Sequence, residues 1–302
     1  VTLPGPFGTP SRLTATVVAA VAVLAVALLG AGLAQTGTGE LRIPAAGATS
    51  LLRLLVLAGL AVHVGELAGR RMAGTGPLPR GLAAPAALLA AASSAGLLLL
   101  FTAVSGLSPA VVYGLREGRL LLVTANAFAL AAFCAASRRP GLAVLPLAVA
   151  VGAEAMRAHP EARLQALGTA LTVVHLTAAS LWVGTLPYVL RTMRLRGGGR
   201  EVLVRYARTA AWLYAALVVT GTVSALRRLP LDAVLTTAYG RLLLVKLVLF
   251  GGASVLALAA RGRMLSGGDA RAPARVEVSA LVAIVVVSAL LTVVPDPHGF
   301  AH

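Results

Sequence analysis

Long apolar runs alternate with short polar, arginine-bearing breaks along almost the whole chain. Runs near 20 apolar residues, long enough to cross about 30 Å of hydrocarbon as a helix, fall at about 12–34, 46–68, 82–104, 119–136, 140–156, 165–190, 203–226, 239–260 and 276–294. The pattern predicts an all-α protein, a polytopic transmembrane helical bundle of about nine spans. The fourth and fifth spans are short and share the tight turn "SRRPG". No break is long enough for a separate soluble domain. The first span ends in "GAGLAQ", small residues of the kind at which a secretory signal is cut. Its apolar run of about 17 residues and the single preceding Arg12 favour an uncleaved helix.

Composition sharpens this picture. Of 302 residues, 58% are hydrophobic and 12% charged, with a mean hydropathy of +0.89. A soluble domain carries about 25% charged residues. Ala, Leu, Val and Gly dominate, which predicts closely packed helices.

The net charge of +16 sits in short loops, not in a patch interleaved with aromatics. It therefore points to topology and anionic lipid headgroups, and nucleic acid is excluded as a partner. Cys134 is the only cysteine, so an intramolecular disulfide and a cysteine metal cluster are both excluded.

Arginines are unevenly divided between the two sets of loops. Those after spans two, four, six and eight hold Arg70, Arg71, Arg80, Arg138, Arg139, Arg191, Arg194, Arg196, Arg200, Arg205, Arg261, Arg263, Arg271 and Arg275. The alternate loops hold Arg42, Arg116, Arg119, Arg157, Arg163, Arg227 and Arg228, giving fourteen against seven. The positive-inside rule places the richer set in the cytoplasm. The N-terminus is then inside and the tail "PDPHGFAH" outside. Glu40, Glu117, Glu154, Glu161, Asp232 and Asp296 fall on the outer side.

No Walker loop, GxSxG or HExxH is present, so ATP-driven transport and these hydrolytic chemistries are set aside. The Gly-rich "RGGGR" at 196–200 reads as a flexible turn, and the chain is expected not to be an enzyme.

The candidate chemistry lies in the five histidines, none of which falls in a cytoplasmic loop. His159, with Met156, Glu154 and Glu161, is in the outer loop "EAMRAHPEAR", and His298 and His302 are in the tail. Imidazole, thioether and carboxylate together suit a copper ion; alternatively these residues are an ordinary solvated loop and tail.

His175 stands within the span "TVVHLTAASLWVGTLPYVL", in one helical stripe with Ala178, Ala179 and Trp182. An imidazole in lipid marks either a metal ligand or a structural hydrogen bond. His63 and Glu66 share a face of the second span, and Glu66 has Arg70 or Arg71 as alternative partners. Lys246, the only lysine, is deep in the eighth span, where a buried partner is expected unless it snorkels. Glu277 opens the ninth span at a different depth and is expected to meet an interfacial arginine. Tyr239 begins the eighth span and completes the pocket candidates with Trp182, Lys246 and Glu277.

Four segments then show a resemblance. "HLTAASLWVGTLPYVL" (175–190), "RYARTAAWLYAALVVTGTVSAL" (205–226), "LTTAYGRLLLVKLVLFGGASVLALAARGR" (235–263) and "VEVSALVAIVVVSALLTVVP" (276–295) resemble, in order, helices of the copper resistance protein D (CopD) family. The resemblance covers about residues 150–296. Residues 1–150 share only the multi-span character, which divides the chain into five N-terminal spans (1–150) and a four-span CopD-like unit with its outer tail (151–302). "AHPEA" (158–162) resembles a Gly-His-Ala element of the family, with Ala158 in place of the glycine.

The resemblance implies a multi-pass protein of the bacterial cytoplasmic membrane that handles copper and moves it inward. It also implies delivery by a separate extracytoplasmic copper chaperone, because the soluble copper domain of some relatives is missing from these 302 residues. On this reading copper passes from Met156 and His159 to His175, then to His63 and Glu66. Two alternatives remain: a non-transporting copper-delivery or oxidase-assembly partner, and a haem-binding redox protein using the two intramembrane histidines.

Overall fold

The computed structural model describes residues 12–137, 139–158, 165–197 and 200–295. Among these, ten α-helices follow in order: α1 (Arg12–Ala34), α2 (Ala46–Ala73), α3 (Ala83–Ser105), α4 (Pro109–Gly114), α5 (Arg116–Ala136), α6 (Val144–Arg157), α7 (Gln165–Leu195), α8 (Arg200–Arg228), α9 (Ala238–Leu265) and α10 (Arg271–Leu291). A 3₁₀ turn, Pro140–Ala143, leads into α6. With that turn counted, nine of these helical segments are long and apolar enough to span a membrane. Helices are the natural answer to such a sequence, because in hydrocarbon each backbone N–H and C=O must be paired within the chain. The short α4 was not anticipated. It starts where the Ser108 side chain accepts from the Val111 N–H, with Pro109 in the first turn.

Two large apolar cores form, with two smaller clusters where α1 meets α2, α9 and α10. One draws on α2, α3, α5 and α6 around Leu60, Phe128 and Leu147. The other draws on α7 to α10 around Trp182, Leu186 and Leu281. Contact between α2 and α7 joins the two, and α1 packs on α2 and α10. Small residues set these distances. A side chain at Gly65 would run into the backbone of Gly184, and one at Gly184 into the carbonyl of Ala61, so α2 and α7 cross almost backbone to backbone. Gly30 similarly makes room on α1 for Leu290.

The loops after α2, α5, α7 and α9 lie at one end of the bundle, here the arginine-rich end. Several of its arginines are structural. Arg196 donates to the carbonyls of Ala73 (2.9 Å) and Pro77 (3.1 Å), Arg205 to Met72 (3.1 Å), and Arg191 to Arg80 (2.6 Å). Met72 and Ala73 are among the last carbonyls of α2, which have no partner within the helix. Charge that reads as a topology signal thus also ties α7 and α8 to the α2–α3 loop. At the opposite end Arg116 donates to the Met156 carbonyl and Arg228 to that of Ala158, both at 2.8 Å, closing the last turn of α6. Glu40 there accepts from the first N–H of α9, at Ala238.

Candidate functional site

His175 lies ten residues into α7 from the end opposite the arginine-rich one and faces α8. Its Nδ1 is 3.0 Å from the hydroxyl of Thr220. That hydroxyl also lies 2.6 Å from the carbonyl of Ala216, one turn earlier on α8. A hydroxyl has one proton. Donated to Ala216, it leaves Thr220 as the acceptor of an Nδ1–H from His175. The pair thereby selects the tautomer whose Nε2 carries a free lone pair, the form in which imidazole binds a metal. Gly221 stands beside the ring and adds no bulk. Lys246 of α9 is the charged side chain whose field reaches His175. It makes no hydrogen bond or ion pair among the described residues, so the expected buried partner is not found there.

The other intramembrane histidine is placed differently. His63 is 0% exposed, and neither ring nitrogen has a hydrogen-bond partner among the described residues. It belongs to the face of α2 that meets α3. Gly59, four residues before it, packs on Ala86 and Ala90, and Glu66, three residues after it, reaches the start of α3. Both histidines point away from the α2–α7 contact. At about 100° per residue, His63 is turned about 200° from Gly65, and His175 about 180° from Gly184. The structure therefore does not bring the two imidazoles together.

Glu66 is fully engaged. One carboxylate oxygen accepts from the N–H groups of Leu82 (2.6 Å) and Ala83 (3.0 Å), and the other pairs with Arg70 at 2.6 Å. It caps α3, and Arg70 is its cation.

At the opposite end Met156 is 44% exposed, while Glu154 turns inward. Glu154 pairs with Arg157, which also holds Glu117 at 2.9 Å, and Arg53 lies 3.9 Å from Glu154 and 3.8 Å from Glu117. Two arginines and two carboxylates thus neutralise one another, and Glu154 is not beside Met156 as a ligand. His159, Glu161, His298 and His302 lie outside the described residues. Arg53 is the member of this cluster that sequence reasoning missed. An arginine seven residues inside an apolar span calls for a counter-charge, the same signal that singles out Lys246.

Trp182 does not line a pocket around His175. Its indole Nε1–H donates to Glu277 of α10 at 3.0 Å. Glu277 is 3% exposed, and its partner is this indole, not the arginine expected at an interface. The second turn of α10 carries Glu277 inward, toward α7, instead of out to the headgroups. Tyr239 packs at the far end of α9 beside Ala31 and Leu290. Below Trp182, toward the arginine-rich end, α7 to α10 surround a cavity of about 230 Å³.

Among the described residues no group of three His, Cys, Asp or Glu side chains is placed to hold a metal ion. No curated protein and no solved structure matches the chain significantly. Residues 200–294, about a third of the chain, which contain Thr220, Lys246 and Glu277, match the family model CopD, copper resistance protein D, and this match and the nine candidate spans among the described residues are consistent with a CopD-family multi-span membrane protein.

Proposed function

We propose that the protein binds copper and carries it across the bacterial cytoplasmic membrane, inward, with His175 as an intramembrane ligand. The observation that carries this reading is the Thr220–His175 hydrogen bond, which leaves Nε2 with a free lone pair inside a span next to the segment that matches CopD. Copper is cargo here. An ion handed between one or two ligands at a time does not need a resident three-ligand site, whereas a bare cation in a low-dielectric interior is costly. Met156, exposed at the end opposite the arginine-rich one, and His159 are the proposed point of entry, served by an extracytoplasmic copper chaperone. His63 remains a candidate ligand through its two unpartnered nitrogens. Because it faces α3, transfer from His175 to His63 requires movement at the α2–α7 contact. Glu66, bound on both oxygens, serves the fold first.

Purified protein in copper-free vesicles tests the reading. His175→Ala and His175→Gln should both lose copper uptake and high-affinity copper binding while the protein still inserts and folds. Glutamine can keep a hydrogen bond to Thr220 but is a poor copper ligand. Wild-type uptake and affinity in His175→Gln would make His175 a packing residue. Copper binding without vesicle uptake would support the delivery-partner reading instead.

A further inference from the structure

The cavity between α7, α8, α9 and α10 is unlike the rest of the interior. The backbones of its side walls, α8 and α9, hardly approach each other, so the space between them faces the hydrocarbon that surrounds the bundle. Small residues make the room: Ala207, Ala210 and Ala211 on α8, Ala257 and Ala260 on α9. Aromatic rings close one end. Tyr214 and Phe250 stack across the α8–α9 gap with centroids 5.1 Å apart, and Trp182 stands edge-on to both.

The cavity also has a polar corner. Tyr206 is 4% exposed, and its hydroxyl forms no hydrogen bond of normal geometry. The Glu277 carboxylate and the Trp182 indole stand near it, but the indole is a donor only, given to Glu277, and the carboxylate is not placed to take the Tyr206 proton. Among the described residues the Tyr206 hydroxyl thus has no hydrogen-bond partner, although buried hydroxyls are nearly always paired.

We propose that this cavity binds the ring head of a membrane-dissolved quinone, with the isoprenoid tail leaving between α8 and α9. Each feature of the site matches one feature of that ligand. An engineered apolar cavity of about 150 Å³ accepts benzene, so about 230 Å³ accommodates one substituted ring. A flat ring packs on the aromatic wall. A quinone carbonyl accepts the idle Tyr206 proton, and the Glu277 carboxylate accepts from a quinol hydroxyl. Entry from the bilayer suits a ligand that is mostly hydrocarbon. A phospholipid acyl chain would fill the space but leave Tyr206 unpaired. The proposal concerns binding only and does not rest on the copper reading.

The chain has two tryptophans, and Trp212 is exposed. A Trp212→Phe variant thus makes Trp182 the sole reporter. In quinone-free nanodiscs, titration with decylubiquinone should quench Trp182 fluorescence saturably. Tyr206→Phe should weaken binding about fivefold, as for one lost hydrogen bond. Ala257→Phe, which fills the cavity, should leave only linear, unsaturating quenching. Decylbenzene, lacking the oxygens, should compete poorly, and this comparison needs no further variant. Unsaturable quenching, undiminished binding in Ala257→Phe, or equal competition by decylbenzene would each overturn the assignment. So would a co-purifying phospholipid that Ala257→Phe releases and decylubiquinone does not displace, which would make the cavity a lipid-tail site.

Discussion

At the scale of single residues, Thr220 is the side chain on which the His175 reading turns. A threonine in a transmembrane helix commonly satisfies itself on the carbonyl one turn back, and Thr220 does so on Ala216. That local bond makes it an acceptor toward α7. Thr220→Val keeps the shape and removes the acceptor, so Nδ1–H loses its partner and the Nδ1-protonated tautomer its advantage. We expect copper affinity about tenfold weaker, equivalent to about 1.4 kcal/mol, with Thr220→Ser close to wild type. A copper titration reads the affinity, and ¹⁵N NMR of the imidazole reads the tautomer. Unchanged tautomer populations in Thr220→Val would remove Thr220 from the argument. The polar character of His175 was legible in the sequence because an imidazole inside an apolar run is conspicuous. Its partner was not, since nothing in "LVVTGTV" indicates which of its threonines faces another helix.

At the scale of elements, two contacts organise the bundle. The first is the crossing of α2 and α7 at Gly65, Ala61 and Gly184. Gly184→Ala puts a methyl group into the Ala61 carbonyl and should destabilise the protein by about 1–3 kcal/mol, seen as a lower Tm in detergent. Gly251→Ala, with open space around it, should change Tm little and serves as the control. The second is the ion cluster that joins α2, α5 and α6. Arg157→Met strands Glu117 and Glu154 beside Arg53 alone. Breaking one partner of a buried pair costs about 3–5 kcal/mol, so a marked fall in Tm is expected. Adding Glu154→Gln should recover part of it. Equal stability of the single variant and the wild type would reduce the cluster to incidental contact. Apolar run length located the elements well: α1 begins and ends where its run does, and α2, α7 and α9 merely extend a few residues past theirs. Polar first and last turns continue a helix beyond the hydrocarbon, and hydropathy does not register them.

At the scale of the whole molecule, the arginine asymmetry predicts orientation. In a Cys134→Ala background, a cysteine at Ser266, in the turn after α9, should resist a membrane-impermeant reagent applied from outside intact cells. One at Thr38, in the turn after α1, should react. The reverse pattern would invert the proposed direction of copper entry. The sequence by itself determined that the chain is a helical membrane bundle, roughly where its spans lie, and which intramembrane side chains are polar. Those properties follow from run length, the pairing demand of the backbone in lipid and the cost of burying charge, all of which are local. Only the tertiary structure decided which way each polar side chain faces. Helical phase places His63 toward α3 and His175 toward α8, Glu66 under the start of α3 and Glu154 into an arginine cluster. It also opened the cavity between α8 and α9. Facing depends on how helices far apart in sequence dock, and in a chain of Ala, Leu and Val runs that are apolar on nearly every face, no stripe announces the partner in advance.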